Sequence, residues 1–194
     1  MTIQAPVGSW TPDLPPYENA GSTEALNVTP AANSYRPFPS FSAASSALSA
    51  RSQGALFARK ADGSGIIIAG DKNKLYLLTA SSVADISRSG PAYTCPDDGR
   101  WSFVQFGPLV LAFNGHDYMQ AHNIDTGTRF GDTTAAPLAL HACVAGDFVM
   151  TGNQPGAGLS RRVQWSAIND AVDWAISQAT QATIICWLSQ AERK

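Results

Sequence analysis

The triplet Asp125-Thr126-Gly127 is the segment of this chain that comes nearest to a known catalytic carboxylate motif. In aspartic proteases two such carboxylates share a proton, because like charges so close together cannot both ionise. One copy is present, so that chemistry would need a second chain. The triplet also falls where a strand must reverse, and Asp and Gly are turn formers. The turn reading is preferred.

His116, His122 and His141, with Asp117 and Cys143, are of metal-ligating types, but no pair has HxxxH or CxxC spacing. His122 falls on a repeated strand where the neighbouring unit carries Leu78, a packing position. Gly63-Ser64-Gly65 runs into Ile66-Ile67-Ile68 rather than into a helix, which excludes a dinucleotide cradle. No serine stands in a GxSxG elbow. Asn27-Val28-Thr29 fits a glycosylation acceptor without a secretory signal to give it meaning. Trp101, Trp165 and Trp174, with Tyr118, could stack on a sugar or a base, although rings at sheet positions more often fill a core. The residues imply no catalytic site, no metal and no cofactor.

What positions these residues is a repeat. Lys74–Leu78, Tyr118–His122 and Arg162–Ser166 resemble one another, each starting 44 residues after the last. An apolar run stands before each (Ile66–Ala69, Leu109–Phe113, Phe148–Met150), followed by a turn. A polar tail ending near an Asp (Asp85, Asp132, Asp173) follows each. A period of about 40–50 residues in strand-like units marks a β-propeller or a related array. The fold expected is all-β, with three propeller-like four-stranded units over about 51–94, 95–137 and 138–175. Asp62-Gly63 and Asn114-Gly115 are hairpin signals within them. The expected outer strands are Val83–Ser87 in the first unit and Thr128–Phe130 in the second.

Three units do not close a ring, since propellers have four to eight blades. The alternatives are a fragment of a longer propeller, an open array, or a ring closed between subunits. Residues 176–194 leave the pattern as a C-terminal tail. Asn169 or Asp170 as a cap predicts a short helix there, through Ser177, Ile184, Ile185 and Leu188, against the pull of the β-branched residues.

Composition narrows the class. A formal charge of −2, with 14% charged residues of mixed sign, gives no support for a nucleic-acid or membrane surface. Cys95, Cys143 and Cys186 are odd in number and far apart, which suits free thiols in a reducing compartment. Met1-Thr-Ile-Gln-Ala-Pro lacks the basic and apolar regions of a signal peptide, and the apolar runs fall short of a membrane span. The expectation is a chain made in the cytoplasm.

Residues 1–50 differ from the rest, with seven of the twelve prolines, and the segment Ser9–Tyr17 cannot hold a helix. A disordered linker rarely carries so many large apolar side chains. Trp10, Leu14, Tyr17, Tyr35, Phe38 and Phe41 therefore read as the partner-binding residues of an extended arm.

Arm and repeats together resemble a family of tailed-bacteriophage structural proteins. The likeness lies in Leu14-Pro-Pro-Tyr-Glu-Asn19, Glu24-Ala-Leu-Asn-Val28 and Tyr35-Arg-Pro-Phe-Pro-Ser40. It continues in Trp101-Ser-Phe-Val-Gln-Phe-Gly-Pro-Leu-Val-Leu-Ala112, Arg162-Val-Gln-Trp-Ser-Ala-Ile-Asn-Asp170 and Asp173-Trp174, over about residues 9–175. The resemblance implies a non-enzymatic virion component like the nozzle or packaged-DNA stabilisation proteins of short tails. Its partners would be copies of itself and neighbouring tail proteins, with no membrane and no sequence-specific nucleic acid. The chain is shorter than that family, so an adaptor or minor tail protein is equally implied. The rival expectation is a carbohydrate-binding β module that uses exposed Trp and Tyr on host glycans.

Overall fold

A computed structural model describes residues 8–15, 17–31, 34–43, 45–79 and 82–186. The chain divides into two compact units, Met1–Ala43 and Ala44–Lys194. The division falls before the expected boundary at 50. Ser49 belongs to the larger unit, where its hydroxyl donates to the Asp71 carboxylate at 2.9 Å.

The smaller unit holds one hairpin, β1 (Val28–Ala31) and β2 (Ser34–Pro37), paired antiparallel with Val28 opposite Pro37. Prolines at Pro30 and Pro37 are tolerated because a two-stranded ribbon consists of edges. Upstream, Thr11 and Asn19 tie the 11–19 loop together through side-chain hydrogen bonds of 2.6 and 2.8 Å.

The larger unit is three antiparallel meanders of four strands each. The first is β3 (Gly54–Arg59), β4 (Gly65–Gly70), β5 (Leu75–Leu78) and β6 (Val83–Asp85). The second is β7 (Ser102–Phe106), β8 (Leu109–Phe113), β9 (Met119–Asn123) and β10 (Gly131–Thr133). The third is β11 (His141–Ala145), β12 (Phe148–Gly152), β13 (Arg162–Trp165) and β14 (Thr183–Cys186). The all-β fold with open, propeller-like units is as the repeat predicts. Between sheets, the closest strand pairs are β3 with β7 and β7 with β11, so the first strand of each meander lies on the inside, as in propeller blades.

Two expectations fail. The second unit's outer strand is Gly131–Thr133, not Thr128–Phe130: Phe130 is 3% exposed and bonds its N–H to the Ile86 carbonyl of the first unit. The third unit does not stop at 175, and no helix follows among the described residues, which end at 186. Asp170 does cap a turn, accepting from the Val172 and Asp173 N–H groups, but Asn169 and Gln181 sit at φ 56 and the turn is not propagated. Thr183-Ile184-Ile185-Cys186 instead pairs with β13, as β-branched residues favour. Leu188 lies outside the described residues.

Candidate functional site

Each sheet has two faces, and the register assigns every residue to one of them. On the side facing the next sheet, β5 places Leu75 and Leu77 and β9 places Met119 and Ala121; the corresponding side of β13 carries Val163 and Trp165, one 44-residue step apart each time. Cross-strand rows repeat in the same way: Leu56–Ile68–Leu77, Val104–Leu111–Ala121 and Cys143–Met150–Trp165. The opposite sides carry Phe57–Ile67–Leu78, then Gln105–Val110–His122 in the second sheet.

The seam between the first two sheets is filled. Leu75, Ile68, Ala58, Tyr93, Trp101, Val110 and Phe130 form one buried cluster. Trp101 is its wedge: its indole N–H donates to the Asp71 carbonyl at 2.8 Å, and it packs edge-on to Tyr93 with centroids 5.1 Å apart. A Cβ on Gly70 would meet the indole at 2.6 Å, so only glycine fits beneath that ring.

A polar staple closes the same seam. Arg88 lies on the loop after β6 and reaches the second unit, donating to Asp132 at 2.7 Å and to Asp117 at 2.9 Å, with its guanidinium over the Tyr93 ring. Asp117 also accepts from the Thr94 N–H and the Asn114 amide. Burial alone would raise the Asp117 carboxyl, yet these donors and Arg88 hold it below the ordinary value. Asp132 behaves alike: burial raises it, and the Gln120 amide and Arg88 lower it. Burial pushes the Tyr93 hydroxyl up to about 12, so at neutral pH it stays protonated and donates to Gln120 at 3.0 Å. Across the same seam, the Gln105 amide both accepts from and donates to the Arg59 backbone, at 3.0 and 2.7 Å.

The seam between the second and third sheets is filled as well. Leu111, Phe113, Met119 and Val104 pack with Val149, Ala139, Ala171 and Trp174. The Ala142 N–H donates across it to the Ser102 hydroxyl at 3.2 Å.

Among the described residues of the larger unit, no sheet lies against the two remaining faces; on the first sheet the Ala69 and Tyr76 end of that face is buried beside Ser49, while the Phe57–Ile67–Leu78 row is left open. On the first sheet Phe57 is 63% and Ile67 43% exposed. On the third, Cys143 and Ile185 are exposed, while Phe148, Met150, Val163 and Trp165 are half-buried around a shallow depression. These apolar sheet faces are the site that reading motifs one by one does not reveal. The signal was present in the 44-residue step, which places Val163 and Trp165 where Leu75 and Leu77 pack on a neighbour.

The expected arm residues are largely exposed in the smaller unit: Trp10, Leu14, Tyr17, Phe38 and Phe41 all are, and Tyr35 is half-buried. The structure brings together two pairs. The Trp10 backbone N–H donates to the Tyr35 hydroxyl at 2.8 Å, and the Phe38 and Phe41 rings pack tilted with centroids 5.6 Å apart. Leu14 and Tyr17 stand on the turns of the preceding loop.

The other chemical candidates separate. Asp125 takes a hairpin position, exposed, with its N–H on the Asn123 side chain and its carboxylate accepting from the Ala61 N–H. His122 is buried against the Arg129 carbonyl, and burial holds its pKa below the usual histidine value. Among the described residues no group of three or more His, Cys, Asp or Glu side chains could hold a metal ion. Trp101 and Trp174 are core, at 5% and 3% exposure, which removes them as stacking platforms; Trp165 and Tyr118 keep an accessible ring.

No protein-family model matches the sequence, and no curated protein matches it significantly.

Proposed function

We propose that this chain is a structural, non-enzymatic subunit of a bacteriophage tail, a nozzle, adaptor or minor tail protein that assembles with copies of itself and grips neighbouring tail proteins. The observation that carries the reading is the pair of apolar faces on the outermost sheets, both of the kind buried elsewhere in the same molecule. Large exposed apolar patches mark interaction surfaces. The arm adds Trp10, Leu14, Tyr17, Phe38 and Phe41, exposed side chains that gain burial only on a partner. The sequence likeness to tail proteins supplies the kind of assembly. Among the described residues no helix is long and apolar enough to cross a membrane.

Mass spectrometry of purified virions tests this directly. Peptides of the chain at several copies per particle are expected; their absence from virions that package and infect normally overturns it. The Trp165 depression, lined also by Phe148, Met150 and Gln181, favours a second reading as a glycan-binding module. Glycan-array binding that is lost in Trp165→Ala, with folding intact, supports that reading instead.

A further inference from the structure

We propose that two copies of this chain close head to tail into a six-bladed ring, the third sheet of each copy seating on the first sheet of the other. The molecule contains the template for this contact twice. In both filled seams, the row facing forward from one sheet covers the row facing back from the next: Leu56–Ile68–Leu77 lies against the sheet bearing Val110, and Val104–Leu111–Ala121 against the sheet bearing Val149. Val110 and Val149 are each 0% exposed as a result. Cys143–Met150–Trp165 is the third forward row and Phe57–Ile67–Leu78 the first backward row, and neither has a sheet against it among the described residues of the larger unit.

The faces match in kind as well as in register. The backward row is apolar on all three strands, and the forward row offers a thiol, a thioether and an indole, with no formal charge on either. The first strands approach most closely across the filled seams, so a second copy's β3 would lie beside β11 as β7 lies beside β3. Blade number then selects the stoichiometry. Propellers close with about four to eight blades, a range that admits two three-bladed copies and excludes one or three. A two-fold ring forms two identical seams and leaves neither face open. Pairing forward face on forward face would leave both backward faces exposed.

The inference rests on the reading of this chain as a self-assembling scaffold but not on its place in a tail, so virion content and solution mass fail independently. Its test uses two variants of the 194-residue chain at exposed positions, Ile67→Glu on the backward face and Cys143→Lys on the forward face. Light scattering with size exclusion should show a dimer for the unmodified chain. Each variant alone should be monomeric, with association weakened about 100-fold, as for loss of an interface anchor. An equimolar mixture should recover a one-to-one dimer, because one seam of the mixed dimer carries no substitution and the other sets opposite charges against each other. That recovery also shows that both variants fold. Dimerisation lost in only one variant, no recovery on mixing, or a monomeric unmodified chain (its faces covered by its own arm or by nothing) overturns the proposal.

Discussion

Ile67 and Val110 occupy the same station in successive sheets, each central in a row of three strands, yet Val110 is 0% exposed and Ile67 43%. Chemistry does not separate them, since both are β-branched aliphatics of similar size. The difference is the neighbour: Val110 has the first sheet behind it, and Ile67 has no sheet behind it among the described residues of the larger unit. Completely burying such a side chain is worth about 1.5–3 kcal/mol. A face of several such residues is therefore a substantial drive to associate.

The three cysteines report on that association without any mutation. Cys95 is buried in the first seam, and burial raises its thiol pKa, so iodoacetamide should reach it only after unfolding. Cys143 and Cys186 are both exposed, but Cys143 lies in the forward row and Cys186 on the other face. At concentrations that support the ring, Cys186 should alkylate fast and Cys143 slowly; dilution should make the two alike. Equal rates at every concentration contradict the assigned face.

Removing Arg88 leaves two carboxylates facing each other in a partly buried seam. Arg88→Ala should cost about 3–5 kcal/mol in urea unfolding, the range for breaking a buried ion pair. Arg88→Lys should recover little, because one ammonium cannot bridge Asp117 and Asp132 as the guanidinium fork does. A loss below about 1 kcal/mol would mean that the staple is no stronger than a surface pair.

Acid should loosen the same region. Burial raises the Asp85 carboxyl, but the Ser87 hydroxyl and N–H and the Lys74 ammonium outweigh it and bring it to about 2. Asp117 and Asp132 are lowered too. The unfolded chain therefore takes up protons first as pH falls. Stability from these carboxylates is complete above the ordinary value of 3.8 and disappears as pH falls through the folded values, at about 2 for Asp85. Urea midpoints should drop across that window, and less steeply in Arg88→Ala, where Asp117 and Asp132 have lost their counter-charge.

Gly70 and Trp101 make a tight contact that tolerates no added methyl. Gly70→Ala sets a Cβ at 2.6 Å from the indole and should cost about 1–3 kcal/mol by overpacking. Asp125→Asn, at an exposed turn whose cap is the Asn123 side chain, should change stability by less than about 0.5 kcal/mol. The two thermal melts together check which of these Gly- and Asp-containing segments is structural packing and which is turn.

Much of this fold is legible in the sequence. The apolar runs ending at Asp71, Asn114 and Asn153 and the repeated strands after them define three central hairpins, and Asp62-Gly63 marks the first turn. Trp174 belongs to the core, as its repeat position suggests. The last strand is not legible, because a long excursion between Trp165 and Thr183 breaks the step and carries a true helix-capping residue, Asp170, into a turn that stops. The staple is also hidden: Arg88 is separated by 29 and 44 residues from its two partners, and no local pattern announces such a pair. The open faces lie between these cases. Their residues are ordinary strand apolars, and only comparison with the same stations in the filled seams shows that a neighbour is missing.

Native mass spectrometry of the unmodified 194-residue chain tests the central claim most directly. The 20.5 kDa subunit should appear as a dimer of about twice that mass, with no trimer or open-ended series at higher concentration. A chain that stays at 20.5 kDa across the micromolar range contradicts a ring closed between two copies.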